Sequence, residues 1–162
     1  ELFQERISFY WLNKAADNGY PDAQHDLGVR FANGEIVSTE KKQLIKECEK
    51  YGIYTDDLKD KPCELFQERI SFYWIKKAAM KNHLDAQVLL AHYYLSGKYA
   101  PTNKIQLIKD CEEYGIYTYD LQNKPCESFQ KKLFIHWTEK AAKQGHRKAM
   151  YSLEVMDKNS LL

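Results

Sequence analysis

A chain that repeats itself at a fixed offset folds only into architectures that stack like units, and this one repeats at an offset of 63 residues. ELFQERISFYW occupies positions 1–11 and returns letter for letter at 64–74. Trp11, Trp74 and Trp137 fall in register, as do Ala15, Ala78 and Ala141, then Ala23, Ala86 and Ala149, then Leu27, Leu90 and Leu153. One repeat spans residues 1–63, a second 64–126, and a third, incomplete and more divergent, 127–162. Units of this kind bury their apolar faces against neighbours, and an end unit that faces water diverges. The expectation is a single helical repeat domain over residues 1–162 with the third repeat as its C-terminal cap.

Each repeat reads as helices. From Pro62 to about Met80, Cys63, Phe66, Ile70, Tyr73, Trp74, Lys77 and Ala78 recur at spacings of three and four, a stripe that buries one face. Pro62 suits a first helical turn, where a missing N–H costs nothing. After a break at Asn82 a second helix carries Ala86, Leu90 and Tyr94 on one side and ends at Gly97. Its counterpart carries Ala23, Leu27 and Phe31 between Gly19 and Gly34. Both contain the letters DAQ, at Asp22–Ala23–Gln24 and Asp85–Ala86–Gln87, and we call them DAQ helices. A third, shorter helix follows, capped by Thr39 or Thr102, with Leu44, Ile45 and Cys48, or Leu107, Ile108 and Cys111, on one face. It stops at Gly52 or Gly115. No alternating stretch is long enough for a sheet, so the fold class is all-α.

The segments WLNKAADNGYPDAQHDLGVRFANG and WIKKAAMKNHLDAQVLLAHYYLSG resemble the Sel-one-like repeat, a relative of the tetratricopeptide repeat. The match falls on Trp11, Lys14, Ala15, Ala16, Gly19, Ala23, Leu27, Gly28 and Gly34. It falls again on Trp74, Lys77, Ala78, Ala79, Ala86, Leu90, Tyr94 and Gly97, and a third time on Trp137, Lys140, Ala141, Ala142, Gly145, Ala149 and Leu153. The resemblance implies an α-solenoid of helix-turn-helix repeats that recruits protein partners. The family's usual period is shorter, so an extra short helix has been inserted between each DAQ helix and the next Trp helix. Independently of the family, small residues at 15, 23, 78 and 86 let paired helices approach closely, while Trp fills the wider space between repeats.

All four cysteines lie in the inserts, Cys48 with Cys63 and Cys111 with Cys126, each pair fifteen positions apart. Two readings stand. Either each pair forms a disulfide, worth about 3 kcal/mol for a loop of this size, or all four are reduced thiols packing as small hydrophobes. The recurring pairs with no cysteine left over favour the bridge, which places the protein in a periplasm or outside the cell. Close CxxC spacing is missing, so no zinc site is expected.

Other classes of function find little support. Lys and Arg number 24 against 23 Asp and Glu, so no global field draws the chain to nucleic acid or an anionic membrane. No apolar run approaches the ~20 residues of a membrane span. The stretch from Glu1 lacks the layout of a signal peptide, and a chain starting at Glu rather than Met is read as trimmed. His25, His83, His92, His136 and His146 form no HExxH pattern, and no phosphate loop or GxSxG elbow is present. Asp56, Asp57 and Asp60 miss the spacing of a calcium loop and read as helix-start and turn residues. The twelve tyrosines recur mostly at packing positions and read as core rather than as a base-stacking platform. No catalytic residue, cofactor or metal is expected.

Near-identical repeats supply an internal control, because positions that must pack alike stay alike. On the DAQ helices His25, Asp26, Val29 and Arg30 become Val88, Leu89, His92 and Tyr93, and then Tyr151, Ser152, Val155 and Met156. Tetratricopeptide-like arrays line their concave surface with this helix, so the resemblance makes this variable face the partner-binding candidate. The competing reading is deeper burial of a central helix. The sharpest functional expectation is a bacterial immunity-type protein that binds and neutralises a secreted toxin or effector. An envelope or host-interaction adaptor is the alternative. A β-lactam-binding or hydrolysing enzyme, as in some cysteine-rich repeat proteins, is a further alternative.

Overall fold

The computed structural model describes residues 2–35, 40–58 and 60–158. Among these the regular structure is entirely helical: α1 (Leu2–Asp17), α2 (Pro21–Asn33), α3 (Lys41–Lys50), α4 (Cys63–Met80), α5 (Leu84–Ser96), α6 (Lys104–Glu113), α7 (Cys126–Lys143) and α8 (Arg147–Lys158). Single 3-10 turns stand at Asp56–Leu58 and Tyr119–Leu121. The Trp helices are α1, α4 and α7, the DAQ helices α2, α5 and α8, and the insert helices α3 and α6. No described helix is long and apolar enough to cross a membrane. By contacts the chain divides into two compact halves, Glu1–His83 and Leu84–Leu162.

The helix limits have local causes. Asn82 ends α4 in the left-handed region at φ 65°, the register position where α1 and α7 end on Gly19 and Gly145. Asparagine tolerates that conformation better than other residues with a side chain. Pro21 begins α2, whereas Pro62 stands one place before α4 and Pro125 one place before α7, both extended. The expected cap at Thr102 is corrected: Asn103 precedes α6, and its Oδ1 accepts the backbone N–H of Gln106 at 2.9 Å. A side chain one position nearer the first turn reaches that N–H directly. Thr39, the equivalent expectation in the first repeat, lies outside the described residues.

In the N-terminal half, α2 packs against α1 and α4, and α3 against α4. Its core joins Ala16, Leu27 and Phe31 to Leu44, Cys48 and Leu58 of the insert and to Phe66, Ile70 and Trp74 of α4. The closest approach is at Gly28, where an added Cβ would lie 2.7 Å from Ile75 Cδ1 and 3.2 Å from the Ile75 backbone nitrogen. In the C-terminal half α7 packs against α5, α6 and α8. Phe129, Leu133, Trp137, Leu90 and Leu107 are fully buried there. Tyr94, also fully buried, donates its hydroxyl to Asp110 Oδ2 at 2.8 Å, and Gln106 donates to Asp110 Oδ1 at 3.2 Å. Burial and the neighbouring phenol and carboxylate push the Tyr94 pKa well up, so it stays a donor.

The inserts are held by polar clamps in register. Lys41 donates to the Lys61 carbonyl at 3.0 Å, and Lys104 to the carbonyls of Gln122 and Lys124 at 2.6 and 3.1 Å. Arg69 donates to the Tyr54 carbonyl and pairs with Asp57; Lys132 donates to the Tyr117 carbonyl and to Asp120, both at 2.8 Å. The Lys132 ammonium holds the Asp120 carboxyl below its ordinary range. Asp57 and Asp120 thus anchor 3-10 turns to the following Trp helix rather than merely solvating a turn. An aromatic trio repeats alongside: Tyr51 lies 5.0 Å from Tyr73 and 4.8 Å from Trp74, and Tyr114 lies 5.7 Å from His136 and 5.0 Å from Trp137.

The expected bridges Cys48–Cys63 and Cys111–Cys126 are not formed; all four cysteines are free thiols. The clamps and the core seat each insert without a bridge, and Cys48 and Cys111 pack as small apolar groups. Desolvation pushes the Cys48 thiol up to about 12 and the Cys111 thiol to about 11, far from the thiolate that reacts. In the native protein, therefore, a maleimide labels the half-buried Cys63 and Cys126 first, while Cys48 and Cys111 react only at the rate of opening. Peptide mapping after timed labelling reads this order, and equal rates at all four would contradict it.

Candidate functional site

The DAQ helix α5 presents its variable residues through simple helical geometry. Ala86, Leu90 and Tyr94 turn inward and are fully buried, so Val88, Leu89 and His92 lie on the flank left over. The packing of α7 against both α5 and α8 then sets the start of α8 beside that flank. Val88, Leu89 and His92 line an open groove of about 380 Å³ together with Asp85, His146, Arg147 and Lys148. Its floor is aliphatic, and Arg147 and Lys148 make one rim cationic at the positive end of the α8 dipole.

His146 organises that rim. Its Nδ1 accepts the backbone N–H of Ala149 at 3.3 Å, capping α8, which leaves the proton on Nε2, 3.2 Å from Asp85 Oδ1. The same pairing recurs in the N-terminal half, where His83 Nε2 stands 3.4 Å from Asp22 Oδ1. Next to the groove Gln144 donates to Gln87 Oε1 at 3.0 Å, tying the end of α7 to α5.

The candidate residues separate into three groups. Val88, Leu89 and His92 come together in the groove. Tyr93 does not belong with them: it is only 4% exposed and stacks on Tyr99 with ring centroids 4.3 Å apart. Its ring area is spent on packing, which corrects its assignment to the binding face. In the N-terminal half His25 stacks on His83 at 4.4 Å, Asp26 pairs with Arg30 at 3.4 Å along α2, and Val29 is half-buried. Tyr151, 68% exposed, and Val155 are exposed on α8 but do not line the groove.

Asp85, His146, Arg147 and Lys148 were missed from the sequence. A usable signal existed for the first two, because Asp22 and His83 repeat as Asp85 and His146 at the same offset. Arg147 and Lys148 had none, since their register partners are Leu84 and Asp85.

On α7 His136 takes the register place of Tyr73, stacked on Tyr114 and edge-on to Trp137 at 5.4 Å. Burial, with Lys140 adding to it, lowers the His136 pKa. The unfolded chain therefore binds a proton more readily than the folded one, and stability is lost as the pH falls below the ordinary histidine value of about 6.5. Urea melts of His136→Tyr should lose this component between about pH 7 and 5 and keep the rest; an unchanged profile would contradict the assignment.

The Sel1 repeat family matches the chain five times, at residues 4–20, 21–43, 67–83, 84–106 and 135–146. Those segments cover α2, α5 and most of α1 and α4, with most of each insert between them, and the last takes in the second half of α7 and ends ahead of α8. Neither the curated proteins nor the solved structures include a match to this chain. Sel1 repeats build helical scaffolds for protein–protein interaction, and the all-α, α-solenoid class of the described residues agrees with the matches. With the matches spread over more than half of its length, the chain belongs to the Sel1-like repeat family.

Proposed function

We propose that this protein is a non-enzymatic scaffold whose groove between α5 and α8 holds another protein, in the sharpest form a secreted toxin or effector that it neutralises. One observation carries the reading: Val88, Leu89 and His92, which differ from their register partners His25, Asp26 and Val29, line one open groove with Arg147 and Lys148. An aliphatic floor beside a cationic rim suits an apolar side chain flanked by a carboxylate on the partner. A few well-buried anchor side chains carry most of an interface's energy.

Affinity capture from the native organism tests it with two variants. Leu89 is half-exposed, so Leu89→Glu should lower the recovered partner at least about tenfold while the thermal midpoint moves by less than about 2 °C. Tyr93→Ser should instead lower the midpoint. Full recovery by a folded Leu89→Glu would sink the proposal. Whether the captured protein is a toxin decides the immunity role.

A further inference from the structure

The start of α8 hangs on one imidazole. The backbone of His146 is bonded on both sides: its N–H donates to the Ala141 carbonyl at 3.1 Å, and its carbonyl accepts the Met150 N–H at 3.1 Å. The side chain is what can change its bonding. Its Nδ1 accepts the Ala149 N–H at 3.3 Å, and its Nε2–H donates to Asp85 Oδ1 at 3.2 Å, so one neutral ring ties the first turn of α8 to α5. An imidazole does both jobs only while it carries a single proton.

A second proton treats the two contacts oppositely. At Nε2 the bond to Asp85 gains an ion pair, and with that carboxylate 71% exposed and screened by water the gain is small. At Nδ1 the acceptor becomes a donor that faces the Ala149 N–H, and the cap is lost. The charge also arrives at the positive end of a helix whose first turn holds Arg147 and Lys148 and no acid. From α5 the further titratable group on this side is His92, which lines the same groove. On α7, packed against both helices, Lys143 pairs with Glu139 at 3.8 Å and Lys140 lies over the Trp137 ring at 4.9 Å. Asp85 therefore keeps the charged ring while the turn of α8 is let go. The His146 side chain is 15% exposed and turned to Asp85, so its new charge does little for an anion on the rim.

We propose that His146 is a proton-released latch on the groove, an inference that rests on the reading of this groove as a protein-binding site. With the ring neutral, the cap fixes Arg147 and Lys148 beside Val88 and Leu89. With the ring charged, the first turn of α8 frays, the cationic rim leaves the aliphatic floor, and the bound protein is released as the pH falls.

NMR of the histidine rings and of the Ala149 amide tests the latch without a partner. Between about pH 7.5 and 5.5 the Ala149 amide should lose its hydrogen-bonded shift in step with protonation of His146, and the methyl resonances of Val88 and Leu89 should move with it. His146→Asn supplies a capping oxygen that does not titrate, and both responses should vanish in it; His92→Asn should keep them. Binding is read on the protein recovered in the capture above. Its affinity for the wild-type chain should fall about fivefold over the same interval, the worth of one helix cap, and should not change with pH for His146→Asn. An Ala149 amide that ignores the titration of His146, or an affinity that rises as the pH falls, overturns the proposal. So does a response kept by His146→Asn and lost by His92→Asn, which would put the titration on His92. A latch that opens in the spectra while Leu89→Glu keeps full recovery supports the proton response of α8 and sinks only the reading of the groove.

Discussion

Trp74→Ala should cost about 3–5 kcal/mol of stability, whereas Trp11→Ala, in an identical eleven-residue segment, should cost less than about 0.5 kcal/mol. Trp74 is buried among Tyr51, Tyr73 and the α2–α3–α4 cluster, so truncation removes a large apolar surface and leaves a cavity that fixed neighbours cannot close. Trp11 stands in water, with Tyr10 as its nearest aromatic contact at 5.4 Å. Urea unfolding of both variants measures the difference. Equal losses would mean that α1 and α4 are packed alike.

Gly28→Leu should cost about 3 kcal/mol through overpacking, and Gly28→Ala less, because its gain in helix propensity of about 1 kcal/mol offsets part of the strain. The new Cβ would overlap Ile75, whose side chain and backbone crowd Gly28 as α2 crosses α4. The C-terminal half carries the compensated version of this contact: the register positions hold Ala91 and Thr138, both buried, and Thr138 turns its hydroxyl to the Phe134 carbonyl at 2.7 Å. Ile75→Thr should therefore rescue Gly28→Ala by at least about 1 kcal/mol in a double-mutant cycle. Additive losses would show that the close approach is not what Gly28 serves.

Helix identity and order were legible because a period of three to four apolar positions survives any neighbour. The Trp, DAQ and insert helices all lie where their stripes and breakers put them. Environment was not legible from the same letters. Trp11 and Trp74 are one residue in one motif, and only the packing around each separates exposed from buried. Tyr93 shows the converse: it differs from Arg30 as a binding residue would, yet its ring serves the stack on Tyr99. The recurring cysteine pairs favoured a bridge, whereas all four are free thiols in this structure, with Cys48 and Cys111 buried on the insert face. Three of the seven groove residues were visible as the variable residues of α5. Asp85 lies on α5 as well, and His146, Arg147 and Lys148 come with the start of α8, brought there by packing on α7, a contact no local pattern encodes.

The claim that the variable flank of α5 is the binding face is tested most directly by site-specific photo-crosslinking. A photoreactive side chain at position 89, beside Arg147 and Lys148 across the groove, should crosslink the captured protein, whereas the same group at the exposed position 122 in the second insert should not. Strong crosslinks from 122 with none from 89 would place the partner on the inserts and contradict the account.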